Sequence, residues 1–142
     1  MSAYADTSFL VSLYLSDANS AKALILIQRV RPPIMLTSFG ELELENALEL
    51  RLYRKEVQQS EMRRTRAAVR ADLRNGILAA TPLPEGIYSQ SRSLASAWTA
   101  KLGTRTLDII HVASALALQA EVFYTFDDRQ ARLARAVGLR TA

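Results

Sequence analysis

The stretch RTLDIIHVASALALQAEVFYTFDDRQARLARAVG, residues 105–138, is predicted to form a helix, a strand and a second helix. Residues 106–120 are apolar on every side, which predicts a helix buried by the rest of the domain. Residues 122–126 form the strand, and residues 128–137 have the spacing of an amphipathic helix. Because strands that alternate with helices are typical of a parallel sheet covered by helices, this stretch indicates the fold class.

The same alternation runs through the rest of the chain. Strands are predicted at residues 2–6, 34–37 and 77–83, with a short edge strand at 138–142. Helices are predicted at residues 7–15, 17–30 (capped by Asp17), 38–55 and 60–74, and a further helix ends near Gly103. Connections between parallel strands should be right-handed crossovers. No linker or repeat interrupts the 142 residues, so 1–142 are expected to form one domain.

The composition excludes several kinds of site. The chain has no cysteine, which rules out a disulfide framework and a thiolate metal site, and one histidine, which argues against a His-rich zinc site. Neither a leader peptide nor a membrane-spanning apolar run is recognisable, so a cytoplasmic protein is expected. The net charge is +4, and residues 51–74 hold eight Lys or Arg against three acids. This basic segment indicates either a solvated helix surface or contact with a polyanion.

Four acidic residues fall where predicted strands meet helices: Asp6, Glu43, Asp108 and Asp127. Ligands of parallel α/β sheets bind beyond the carboxyl ends of the strands, and all four acids are expected at that end. A cluster of carboxylates there is suited to a hard divalent cation such as Mg²⁺. Taken singly, Asp6 and Asp127 could be helix N-caps and Asp108 a first-turn acid that the helix dipole favours.

Glu43 is distinguished from its neighbours by its place on the helical wheel. It falls, together with Asn46, inside an apolar stripe that is predicted to face the core and consists of Phe39, Leu42, Ala47, Leu50 and Tyr53. A carboxylate facing the core is costly unless it is paired or binds a metal. Asn46 is predicted to orient Glu43 by a hydrogen bond. Glu41 falls on the far side, as the capping-box partner of Ser38.

A second apolar stripe on the same helix consists of Leu44, Leu48 and Leu52. A helix with two apolar faces needs two partners. The second partner could be the following helix, a second protomer or another protein, and a protein interface is the favoured prediction.

Several polar residues flank the acids. Thr7, Ser8 and Thr125 could hold water or a phosphate oxygen, or could serve as helix-capping and strand residues. His111 lies one turn after Asp108, so it could face the site with a catalytic role, although a lone histidine on such an apolar helix is more often a hydrogen-bonded structural residue. Trp98 is predicted to belong to the core.

The order of these motifs resembles the PIN domain. The resemblance rests on Asp-Thr-Ser after the first strand, a buried Glu after the second, Arg-Thr-Leu-Asp-Ile-Ile-His-Val-Ala, and Thr-Phe-Asp before the last helix. The size and the closing Arg-Gln-Ala-Arg-Leu-Ala-Arg-Ala-Val-Gly-Leu are similar to the VapC-type toxins of toxin–antitoxin pairs. The resemblance implies a three-layer α/β/α sandwich with a mainly parallel sheet of four to five strands.

The resemblance also implies a Mg²⁺- or Mn²⁺-dependent ribonuclease. Asp6, Glu43 and Asp108 would hold one or two ions, and Asp127, with Asp128 as a weaker stand-in, would bind the second ion or position water. A cognate antitoxin and a homodimer are the implied partners, with the Leu44/Leu48/Leu52 stripe and the arginine-rich segment as candidate contacts.

Two other functions remain open at this point. An aspartyl-phosphate enzyme shares the acidic pocket, but Asp6-Thr7-Ser8 lacks an Asp-x-Asp motif. A non-catalytic protein- or RNA-binding module on the same fold predicts no metal-dependent activity and tolerance of substitution at Asp6 and Asp108.

Overall fold

One parallel sheet organises the protein, whose structure is a computed structural model that describes residues 2–142. Its strands are β1 (Ala3–Ala5), β2 (Ile34–Thr37), β3 (Leu78–Thr81), β4 (Val122–Tyr124) and β5 (Arg140–Thr141). Their spatial order is β3-β2-β1-β4-β5, with every neighbouring pair parallel. The central strand β1 pairs through Ala3 with both Ile34 and Val122.

Helices cover both faces of this sheet. They are α1 (Thr7–Tyr14), α2 (Ser20–Ile27), α3 (Ser38–Tyr53), α4 (Gln59–Arg74), α5 (Ile87–Leu102), α6 (Thr106–Ala117) and α7 (Asp128–Ala136). Ala3 and Ala5 pack into a core with α1 to α4, whereas Tyr4 between them packs into a second core with α5 to α7. This alternation follows from the two-residue period of a strand, and it produces the predicted α/β/α sandwich. Trp98 packs against the second core, as predicted.

The predicted elements all occur, and most differ only at their ends. The helix capped by Asp17 is the exception, because α2 begins at Ser20 with Asn19 in the N-cap position. Asp17 instead accepts hydrogen bonds from the Asn19 backbone N–H and the Ser12 hydroxyl, and it therefore ties the turn to α1. Among residues 2–142, no helix combines the length and apolarity that crossing a bilayer requires.

The start of α3 also differs from the prediction. Thr37, the last residue of β2, caps the helix by accepting the Gly40 N–H on Oγ1 at 3.3 Å, so the predicted Ser38–Glu41 capping box was wrong. The strand passes into the helix without a loop, which places the Thr37 hydroxyl where the capping residue belongs.

The two apolar stripes of α3 have exchanged their predicted places: the leucine stripe faces the core, and the stripe that was predicted to face the core is largely exposed. Leu44 and Leu48 are buried and Leu52 packs against them, so the predicted interface on this stripe was wrong. In the other stripe, by contrast, Leu42 is 67% and Tyr53 83% exposed. Gly40 begins the buried face, where a side chain's first carbon would make ordinary contacts with Leu36 and His111.

Candidate active site

The four predicted acids gather at the carboxyl end of the sheet. Asp6 follows β1, Asp127 follows β4, and these two strands are neighbours. Glu43 projects from α3 after β2, and Asp108 lies in the first turn of α6. A cleft of about 790 Å³ opens there, and Glu43, Asp108 and Asp127 line it. Asp6 is fully buried and is not among the residues that line the cleft.

Asp6 is held by a dense set of hydrogen bonds. Its Oδ1 accepts the Phe9 N–H at 2.9 Å and the Ser8 hydroxyl at 2.7 Å, and its Oδ2 accepts the Thr125 hydroxyl. Burial raises the pKa of Asp6, and the bonds from Thr125 and Phe9 offset only part of that effect. The buried carboxylate is therefore a costly feature of the metal-free fold.

Glu43 is half-buried at the wall of the cleft. Its Oε1 accepts the Thr7 hydroxyl at 2.8 Å and contacts His111 Nε2. Burial acts to raise the pKa of Glu43, but hydrogen bonds from His111 and from Thr7 hold it below its ordinary value. Glu43 Oε2 accepts no hydrogen bond from the described residues, so this oxygen remains available.

Asp108 and Asp127 each use one oxygen to cap their own helix. Asp108 Oδ2 accepts the Arg105 backbone N–H at 2.9 Å, and Asp127 Oδ1 accepts the N–H groups of Arg129 and Gln130. Asp127 is therefore the N-cap that the sequence allowed, and Asp108, a first-turn acid as considered, also closes a capping box with Arg105. Capping leaves Asp108 Oδ1 without a hydrogen bond from residues 2–142, and Asp127 Oδ2 with a single long contact to Arg105.

Arg105 is the residue at this site that the sequence did not reveal. Its guanidinium lies 3.4 Å from Asp108 Oδ2 through Nε and 3.4 Å from Asp127 Oδ2 through Nη2. Both contacts are long and the side chain is 60% exposed, so the pairing is loose. Its spacing of three residues before Asp108 was the only available signal.

Two further arginines line the same cleft at the end of α3. Arg51 pairs with Glu56 at 3.2 Å, whereas Arg54 forms no ion pair with any residue in the described range 2–142. Arg64, on the exposed side of α4, lies outside the cleft. The basic segment 51–74 is therefore divided, and only its first part adjoins the acids.

Only some of the predicted supporting residues contact the acids. Thr7, Ser8 and Thr125 all hydrogen-bond to the acids, as described above. Asn46 is exposed and forms no hydrogen bond with Glu43, because it lies on the outer side of α3. Asp128 is also exposed and pairs with Arg132 at 3.2 Å, which sets it apart from the cleft.

The carboxylates at this site do not form a closed metal cage. Among residues 2–142, no three His, Cys, Asp or Glu side chains are arranged to enclose a metal. Yet Glu43 Oε2, Asp108 Oδ1 and Asp127 Oδ2 are hard oxygens that are free or weakly engaged. Mg²⁺ is usually held by one or two carboxylates and several waters, so this set suits it.

Comparison with known families agrees with this arrangement, since the family model for the PIN domain matches residues 3–136. The chain belongs to the PIN domain family. The predicted family and fold class are thereby confirmed. In this PIN domain the four acids come from four different elements, and only the shared end of the sheet brings them together.

Solved structures show the same PIN fold. VapC20 from Mycobacterium tuberculosis, described as a sarcin-ricin loop cleaving toxin, has a TM-score of 0.70 and 18% identity, covering 97% of this chain and 96% of its own. The FitAcB structure from Neisseria gonorrhoeae has a TM-score of 0.67 and 13% identity, covering 97% and 94%. No curated protein sequence matches the chain.

Proposed function

We propose that this PIN domain is a Mg²⁺- or Mn²⁺-dependent endoribonuclease and the toxin of a toxin–antitoxin pair. One observation carries the proposal: three carboxylates with available oxygens line a cleft that Arg51, Arg54 and Arg105 also line. Acids that suit a cation, beside arginines that suit phosphate, are what hydrolysis of a polyanionic phosphodiester needs. PIN domains are generally nucleases, which supports the same conclusion.

In the proposed mechanism, one or two of the carboxylate oxygens Glu43 Oε2, Asp108 Oδ1 and Asp127 Oδ2 would hold the cation together with waters, and Asp6 would supply negative charge from beneath. When bound, a divalent cation lowers the pKa of its water and stabilises negative charge on the phosphate in the transition state. Thr7 and Ser8 line the cleft beside these acids, and their hydroxyls can orient the attacking water. Asp127 is a second candidate for orienting the attacking water.

Arginines of the chain would bind the RNA. Arg54 is exposed and unpaired within the described residues, so it is the first candidate for a backbone phosphate. Arg105 would exchange its loose contacts with Asp108 and Asp127 for a phosphate near the scissile bond. A guanidinium presents a planar set of donors that matches phosphate, which favours arginine in both roles.

The proposed partners are a cognate antitoxin and a second copy of this chain. The name of VapC20 as a toxin, at the same fold, supports a cognate antitoxin for this chain. The exposed side of α3, with Leu42 and Tyr53, replaces the leucine stripe as the apolar surface for an antitoxin or a homodimer partner, and Leu50 extends it to the cleft. A cytoplasmic location is part of the same proposal.

The decisive experiment is cleavage of a labelled RNA by the purified protein after chelation with EDTA and on addition of Mn²⁺. Asp6→Asn and Asp108→Asn should abolish the metal-dependent cleavage while circular dichroism shows an intact fold. Glu121→Gln is the matched control, because Glu121 is exposed and precedes β4 at the opposite end of the sheet. Full cleavage by either Asn variant, or cleavage in EDTA, would refute the proposal and favour a non-catalytic module.

A further inference from the structure

A buried chain of hydrogen bonds ends at Glu43. Tyr4 Oη lies 2.9 Å from His111 Nδ1, and His111 Nε2 contacts Glu43 Oε1. Tyr4 on β1 is 0% exposed and His111 on α6 is 1% exposed. The three residues come from three different elements, so the chain crosses the protein from the sheet to the wall of the cleft.

We propose that His111 is a positioning residue that fixes Glu43 for the cation, an inference that rests on the proposed function. In this arrangement the Tyr4 hydroxyl donates to Nδ1, and Nε2–H donates to Glu43 Oε1. The Thr7 hydroxyl donates to the same oxygen at 2.8 Å. Oε1 is thereby occupied, and Oε2 is left as the oxygen that binds the cation.

In the proposed arrangement, the Tyr4 hydroxyl sets the tautomer of His111. Burial raises the pKa of Tyr4, so its hydroxyl keeps its proton and is available as the donor to Nδ1. A neutral imidazole that accepts on Nδ1 carries its hydrogen on Nε2, which faces Glu43. The partner of one ring nitrogen thus sets what the other offers, as in the outer shells of metal sites.

Packing holds the imidazole ring in place. The ring centroids of Phe39 and Tyr4 lie 5.0 Å and 5.9 Å from that of His111, in tilted and edge-on geometry. At Gly40, a side chain's first carbon would lie 3.9 Å from His111 Cε1, so the backbone of α3 also closes on the ring. Both nitrogens are engaged and the ring is buried, which favours a positioning role for His111 over that of a general base.

The test compares metal binding in the whole protein with stability in EDTA. His111→Leu removes the donor but fills the space, whereas His111→Gln offers an amide N–H in place of Nε2–H. Mn²⁺ binding is read from the thermal shift and, independently, from the Mn²⁺ concentration that gives half-maximal RNA cleavage. Loss of such an outer-shell partner typically weakens metal binding about 10- to 100-fold. We therefore expect His111→Leu to raise the Mn²⁺ concentration needed for half-maximal cleavage by about 10- to 100-fold. In His111→Gln this concentration should return to within about threefold of the wild-type value.

Met62→Ala is the matched control for stability. Met62 is fully buried on α4 and is not among the residues that line the cleft. Met62→Ala should lower the melting temperature and leave the Mn²⁺ requirement unchanged. His111→Leu would give the same result if His111 were only a structural residue. An unchanged Mn²⁺ requirement in His111→Leu, or an equal increase in Met62→Ala, would overturn the positioning role.

Two further outcomes keep the inference separate from the proposed function. If His111→Leu does not fold, Tyr4→Phe replaces it, because losing the hydroxyl frees the tautomer and should raise the Mn²⁺ requirement; no increase overturns the inference. If wild type binds Mn²⁺ but cuts no RNA, the nuclease proposal fails, and the thermal shift still decides the role of His111. Absence of Mn²⁺ binding by wild type would overturn both the nuclease proposal and the positioning role of His111.

Discussion

Divalent metal should stabilise the fold, and Glu43→Gln should remove most of that effect. At 100-fold above its dissociation constant, a ligand that binds only the folded state contributes about 2.7 kcal/mol. Unfolding entropy of about 2.1 cal/mol/K per residue amounts to about 0.3 kcal/mol per degree over 142 residues. Saturating Mn²⁺ should therefore raise the melting temperature by about 9 °C.

The substitution is chosen to alter charge alone. The glutamine side chain keeps an oxygen that accepts from Thr7 and His111, so stability in EDTA should change little. It replaces the free Oε2 of Glu43 with an amide nitrogen that carries no negative charge and does not bind a cation. The Mn²⁺-induced shift should then fall to about 2 °C or less, which corresponds to affinity at least about 50-fold weaker.

The assay is differential scanning fluorimetry in EDTA and across a Mn²⁺ series, with Glu121→Gln as the control that removes an acid at the other end of the sheet. The control should keep the full shift. An equal shift in Glu43→Gln, or none in wild type at about 10 mM Mn²⁺, would refute the reasoning, because the acids would then not be acting as a cation site.

Three further predictions concern packing, RNA binding and pH. Leu48→Ala should lower stability by about 3 kcal/mol in denaturant unfolding, whereas Leu42→Ala should change it by less than about 0.5 kcal/mol, since only Leu48 is buried; similar losses would contradict the assignment of the two faces of α3. Arg54→Ala should raise KM for RNA several-fold and reduce the salt dependence of binding by about one ion, whereas Arg64→Ala outside the cleft should do neither; equal effects would exclude Arg54 as a specific contact. Because burial raises the folded-state pKa of Asp6, the metal-free fold loses stability as pH rises through that pKa. Asp6→Asn should therefore be at least as stable as wild type at pH 7 in EDTA, and this advantage should shrink as pH falls. Thermal melts of both proteins from about pH 4 to pH 8 test the prediction.

The sequence predicted the fold class because its local signals agree with one another. The alternation of strand and helix patterns identified all five strands, and every observed pairing is parallel. The family followed from the order of the acidic motifs, and the match over residues 3–136 confirms it. The ends of elements were less secure, as the caps at Thr37 and Asn19 show, because polar side chains close together in sequence compete for the same backbone groups.

Glu43 shows both the reach and the limit of a helical wheel. The wheel singled out this glutamate, but it assigned the wrong stripe of α3 to the core, and with it Asn46 to the site. Periodicity reveals that a helix has two apolar faces and does not say which one meets the sheet. The packing of Leu44 and Leu48 into the core decided between them, a property of the tertiary structure.

The sequence by itself determined a parallel α/β/α domain with four acids at strand–helix junctions, since these features are local and repeat along the chain. Only the tertiary structure decided that Asp6 is buried beneath the cleft, that Arg105 lies between Asp108 and Asp127, and that Tyr4 and His111 connect the sheet to Glu43. Tyr4, Glu43 and His111 lie on different elements and 107 residues separate the first from the last. Contacts of that kind depend on how elements pack together, which local periodicity does not encode.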